Sequence, residues 1–208
     1  MEQDWPNLQK YQMENQKIID SGERPLAVFM GNSITEGWVN TNPEFFKTNN
    51  FTGRGIGGQT TPQMLIRFTP DVIDLNPEVV VILAGTNDIA GNTGASSTKM
   101  ITDNIKAMAQ LAQANEIKVV LSSILPVYDY PWQPGMKPVD KIAAVNKWLK
   151  NYADENNHTY LDYFSALADE KKGMKAEYAE DGVHPTKKAY KVMEPLVLEA
   201  IHEALESN

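Results

Sequence analysis

The chain has 208 residues, room for one domain of the usual ~150 residues with insertions. It contains no cysteine, which excludes disulfide scaffolds, thiolate zinc sites, iron–sulfur clusters and a cysteine nucleophile. Nineteen Lys and Arg stand against 27 Asp and Glu, a net charge of −8, and without a basic cluster that surface repels phosphate backbones, so no nucleic-acid partner is expected.

Residues 7–20 predict a surface helix with Leu8, Tyr11, Ile18 and Ile19 on one face, stopped by Gly22. With it, residues 1–22 form a helical extension ahead of one domain that fills the 208 residues. Pro25–Met30 is a short apolar run that predicts a buried strand, and residues 51–56 predict a weaker second one. A helix starts at Pro62–Phe68. Glu78–Leu83 is rich in β-branched residues and predicts the clearest buried strand. Residues 97–114 predict a helix with Met100, Ile101, Ile105, Met108 and Leu111 as its stripe. Ile117–Leu125 predicts a fourth strand, residues 139–155 a helix, Thr159–Asp162 a short fifth strand, and residues 186–205 a C-terminal helix.

Strands separated by helices pair in parallel through right-handed crossovers. The expected fold class is therefore α/β: a three-layer α/β/α sandwich around a doubly wound, five-stranded parallel sheet. In such sheets ligands sit beyond the carboxyl ends of the strands. No run approaches the ~18 apolar residues of a spanning helix, so no integral membrane association is expected. The N-terminus, Met1 to Pro6, is polar and lacks the pattern of an export signal. Two compartments fit: the cytoplasm for the sequence as written, or an exported, periplasmic form from which a signal peptide has been removed.

Four loops on that edge carry candidate chemistry. After the first strand, Gly31-Asn32-Ser33-Ile34-Thr35-Glu36-Gly37 places a serine between glycines. It reads as a helix cap through Ser33 or Thr35, as a nucleophile, or as a phosphate loop of flavodoxin type. It is neither a G-x-S-x-G elbow, because residue 35 is Thr, nor a Walker loop. After the second strand, Gly53, Gly55 and Gly58 formally spell G-x-G-x-x-G, but they overlap the strand, and a dinucleotide site is discounted. Gly57 and Gly58 suit either a tight turn or a backbone N–H aimed at a ligand. After the third strand, Asn87 in Ala84-Gly85-Thr86-Asn87-Asp88 offers an uncharged donor, or simply a turn. Near the C-terminus, Asp181-Gly182-Val183-His184-Pro185 lets a carboxylate fold back onto an imidazole Nδ1–H, and equally suits a surface loop. His158, at the opening of the fifth strand, and His202, late in the last helix, are weaker candidates.

Taken in order, these blocks resemble the SGNH, or GDSL-type, hydrolases over nearly the whole chain. Gly31-Asn32-Ser33-Ile34 departs from Gly-Asp-Ser-Leu at two of four positions but keeps the serine. The resemblance implies the same three-layer sandwich and a serine esterase without metal or organic cofactor. It implies Ser33 as nucleophile, His184 as general base and then acid, and Asp181 as the group orienting the imidazole. The oxyanion would be held by the N–H groups of Ser33 and Gly58 and the amide of Asn87.

The substrate is less legible. Family members act on substrates from O-acetylated carbohydrates to lysophospholipids and thioesters. With no long apolar lid, short acyl groups on soluble alcohols are expected, first acetyl esters of sugars; a lysophospholipase or thioesterase is the alternative. A non-catalytic phosphate- or flavin-binding module is the alternative of another class. Residues 126–138 form a Pro- and aromatic-rich loop after the fourth strand, where Tyr128, Tyr130 and Trp132 either meet substrate or pack inward. Trp38 either walls the pocket or packs on the sheet.

Overall fold

The computed structural model describes residues 4–207. The chain runs α1 (Gln12–Ser21), β1 (Ala27–Gly31), α2 (Ser33–Thr41), α3 (Pro43–Thr48), β2 (Phe51–Gly55), α4 (Thr61–Ile66), α5 (Phe68–Asp71) and a 3-10 turn at Ile73–Leu75. It continues through β3 (Val79–Leu83), α6 (Thr86–Ile89), α7 (Thr98–Ala114), β4 (Lys118–Ser122), α8 (Val139–Glu155), β5 (Thr159–Leu161), α9 (Tyr163–Leu167) and α10 (Lys187–Glu206). The five strands form one parallel sheet in the order β2-β1-β3-β4-β5. This is the expected doubly wound α/β/α sandwich.

β1 and β3 are buried along their whole length because helices cover both faces. Successive side chains point to opposite faces. Val28, Met30, Val80 and Ile82 enter one core with Met64, Phe68 and the buried faces of α7 and α8. Ala27, Phe29, Val79 and Val81 enter the other, with residues of α2, α3, α9 and α10. β1 pairs with β2 on one side and β3 on the other, so the direction of winding reverses there, and the loops after β1 and β3 diverge at the carboxyl edge.

The regular elements fall close to their predicted bounds, with informative exceptions. The first helix begins at Gln12, not residue 7, because the Asp4 carboxylate gathers the Leu8 and Gln9 N–H groups into a preceding turn at 2.9 and 3.0 Å. Its expected apolar stripe is only partly a core face: Ile18 packs half-buried against the core, Leu8 and Ile19 are exposed, and the helix's buried residue is Asn15. Met100 and Leu111 are exposed too; α7 buries Ile101, Thr102, Ile105, Met108, Ala109 and Ala112. The helix at 62–68 divides into α4 and α5. The expectations for Met1 to Gln3 lie outside the described residues. Among the described residues no helix is long and apolar enough to cross a membrane.

Candidate active site

Ser33 is the first residue of α2, directly after β1. Asn32 caps this helix: its Oδ1 accepts the Ile34 N–H at 3.0 Å. The Ser33 N–H lies in the first turn, where helical N–H groups have no partner within the helix. The start of α2 can sit close to β2 only because Gly55 lacks a side chain; a Cβ there would be 2.2 Å from the Glu36 nitrogen.

His184 comes from the loop before α10. Its Nε2 is 3.0 Å from Ser33 Oγ, and its Nδ1 is 2.6 Å from Asp181 Oδ2. Asp181 Oδ1 also accepts the backbone N–H groups of Val183 and His184, at 2.9 and 2.8 Å. Gly182 has φ +78°, in the left-handed region that glycine adopts without strain, and this closes the turn. Partial burial pushes the Asp181 carboxyl up, but hydrogen bonds from the His184 side chain and from both backbone N–H groups outweigh it and hold it below the usual carboxylate range. An ionised Asp181 keeps the proton on Nδ1, leaving Nε2 free to accept one from Ser33. The site is open, with the His184 side chain 43% exposed.

The two other loops meet beside this edge. Gly58 has φ +74°, and Asn92 Nδ2 donates to its carbonyl at 3.1 Å. The buried amide of Asn87 donates one N–H to Gln59 O at 2.9 Å, which ties the loop after β3 to the loop after β2. An amide has two N–H groups, so the other can serve a ligand.

The aromatic candidates separate. Trp38 is corrected: it is 1% exposed, stacked between Phe45 and Tyr190 with ring centroids 5.6 and 5.3 Å away, and cannot wall a pocket. Tyr130 is corrected as well. It is fully buried, and its hydroxyl donates to Thr86 O at 2.9 Å, anchoring the loop rather than meeting substrate. Tyr128 is exposed and lies against Gly173, with no hydrogen bond or ring contact to Ser33, His184 or Asp181 among the described residues. Trp132 is exposed with its ring 6.1 Å from that of His184, and its Nε1–H donates to Asn92 Oδ1 at 3.2 Å. Loop 126–138 is therefore both packed and presented. Asp129 folds it by accepting the N–H groups of Tyr130, Gly135 and Met136.

Sequence reasoning missed Asn92, Gln59, Glu36 and Arg67. Glu36 has a sequence signal, since it follows Ser33 by one helical turn. It accepts the Gly57 N–H at 2.8 Å. Arg67 has none. It is fully buried and donates to Gln59 Oε1, Asp71 Oδ2, Gly31 O and Arg54 O, linking the carboxyl ends of β1 and β2. A surface pocket of about 810 Å³ between α1 and α4–α5 is lined by none of Ser33, Asp181 and His184.

Comparison with known proteins agrees with this architecture. A candidate acylhydrolase of Bacteroides fragilis is 48% identical, with a TM-score of 0.94 over 99% of this chain and 100% of that one. A GDSL-like lipase of Bacteroides thetaiotaomicron is 46% identical, with a TM-score of 0.91 over 96% and 98%. An uncharacterized lipoprotein of Bacillus subtilis, YqeF, is 31% identical over 129 residues, 56% of this chain; the chain spans 53% of that relative's length. The model of the GDSL-like lipase/acylhydrolase family matches residues 29–192, which span all four blocks. The chain belongs to the GDSL-like lipase/acylhydrolase family of ester hydrolases.

Proposed function

We propose that this protein is a serine esterase that removes short acyl groups, acetyl foremost, from carbohydrate alcohols. The observation that carries it is the continuous chain Ser33 Oγ, His184 Nε2, His184 Nδ1, Asp181 Oδ2, with links of 3.0 and 2.6 Å. A serine hydroxyl is a weak nucleophile until a base takes its proton. In this reading Ser33 Oγ attacks the ester carbonyl as His184 Nε2 accepts the proton. Asp181 stabilises the imidazolium. The carbonyl oxygen becomes an oxyanion held by the N–H groups of Ser33 and Gly58 and the Asn87 amide. Collapse breaks the carbon–oxygen bond, and His184 protonates the departing alcohol. Water, deprotonated by His184, then releases the acid and restores Ser33.

Trp132 supports the sugar reading. Its exposed indole beside His184, held by Asn92, offers a flat apolar face where a leaving alcohol would stand. The openness of the site favours short acyl chains over long ones, which need an enclosed apolar pocket.

The test is hydrolysis of p-nitrophenyl esters from acetate to palmitate, with a fluorophosphonate label. We expect acetate to be cleaved, activity to fall steeply beyond about four carbons, and the label to sit on Ser33. Equal activity in wild type and Ser33→Ala refutes the mechanism. A preference for palmitate refutes the short-acyl assignment.

A further inference from the structure

Residues ahead of β1 reach the far side of the site. Gln63 Nε2 donates to Trp5 O at 2.8 Å, and Gln59 Nε2 donates to Pro6 O at 2.7 Å. The Tyr11 hydroxyl donates to Gly55 O. Lys10 Nζ pairs with one oxygen of Glu36, whose other oxygen accepts the Gly57 N–H. Asn15 lies deeper. Its Oδ1 accepts Arg54 Nε at 2.8 Å and its Nδ2 donates to Asp71 Oδ1 at 2.7 Å. Almost every tie lands in residues 54–71, on both sides of Gly58; the exception, Lys10, reaches the same loop through Glu36.

That concentration has a physical consequence. The loop carries Gly57 and Gly58 just after Gly53 and Gly55 of β2, and glycine has the largest backbone freedom to lose on ordering. Oxyanion donors act only if they are already aimed when charge develops. Something must therefore hold this stretch still. Gln59 shows how: Arg67 Nε grips its Oε1, Pro6 O takes its Nε2–H, and its carbonyl receives Asn87. Burial, foremost, and the Glu36 carboxylate push the Tyr11 hydroxyl up to about 12, so it remains a donor across the working range.

We propose that Trp5–Asn15 is a brace for the oxyanion loop, with Lys10 and Tyr11 as positioning residues that act through Glu36, Gly55 and Gly57. This rests on reading Gly58 and Asn87 as oxyanion donors. The brace lies outside the matched residues 29–192, so the family match does not account for it.

The test is the full-length double variant Lys10→Met/Tyr11→Phe, which touches neither Ser33, His184, Asp181 nor the donors. We expect kcat on p-nitrophenyl acetate to fall about tenfold, a fraction of the loss from deleting a donor outright, with KM within about threefold. The rate of fluorophosphonate labelling at Ser33 should fall by the same factor, because phosphonylation also places an oxygen among the donors. Lys10→Arg should keep wild-type kcat. By hydrogen exchange, the amides of residues 55–60 should exchange faster in the double variant. Unchanged kcat in an active, folded double variant overturns the brace, including when its Tm falls, since that marks packing alone. Should the wild type cleave no ester, the esterase reading fails by itself. Hydrogen exchange then decides separately: faster exchange at 55–60 supports the brace and unchanged exchange overturns it.

Discussion

Ser33 Oγ lies 3.0 Å from His184 Nε2, although 151 residues separate them. The first sits at the carboxyl end of β1 and the second just before α10, so the sandwich must close before the pair exists. Asp181 holds the second by its backbone and its ring at once. Asp181→Asn keeps the volume but removes the charge that favours the Nδ1–H tautomer. We expect kcat to fall about 10³–10⁴-fold with little change in KM, measured by steady-state ester hydrolysis.

Gly55→Ala tests the close approach of β2 to α2. The new Cβ would lie 2.2 Å from Glu36 N and 2.7 Å from Asn32 O, both backbone atoms that cannot rotate away. The strand or the start of α2 must shift, at a cost of about 1–3 kcal/mol for overpacking. Thermal denaturation should show a lower Tm. Fluorophosphonate labelling should slow further than that Tm loss explains, because Ser33 moves with its helix.

Tyr163 is buried in the aromatic core, with its ring centroid 6.2 Å from Trp38, and its hydroxyl has no hydrogen-bond partner among the described residues. Burying a hydroxyl unpaired costs about 1–3 kcal/mol. Tyr163→Phe removes that hydroxyl without opening a large void. Calorimetry should show an unchanged Tm or a rise of about 2–4 °C for each kcal/mol recovered. A clear fall in Tm contradicts the reading.

His158 stands at the opposite end of the sheet, with Nε2 buried and without a hydrogen-bond partner among the described residues, and burial lowers its pKa. The native state thus favours the neutral ring. Between that lowered value and the ordinary ~6.5 the unfolded chain binds more protons, so stability rises with pH there and falls on acidification. Tm should decline from about pH 8 to pH 5.5, and His158→Phe should decline less. Parallel profiles for the two proteins rule His158 out as a source of the loss.

Much of the fold was legible because the signals are local. Val79–Leu83 is apolar on both alternating faces, as a strand covered by two helix layers must be. The site blocks were legible as residue types at strand ends. Short helices such as α6 and α9, of 4 and 5 residues, escaped because so few residues carry no periodicity.

The aromatic residues show where local reading stops. Trp38 and Trp132 are equivalent as letters near a glycine- or proline-rich turn. Trp38 is buried because Phe45, from the next helix, and Tyr190, from the last one, close over it. Trp132 stays out because Asn92 and the anchored Tyr130 hold its loop over the sheet edge.

The sequence by itself determined the strand order along the chain, the helix faces of α7 and α8 in outline, and which serine, histidine and carboxylate were available. Only the tertiary structure decided which indole borders His184, which carboxylate holds Gly57, and that residues 5–15 grip the loop around Gly58. Burial patterns repeat with the period of the backbone and are written in neighbouring residues. Hydrogen bonds from Gln59, Arg67 and Tyr11 to distant carbonyls have no period, and they exist only once the sheet has brought their partners within reach.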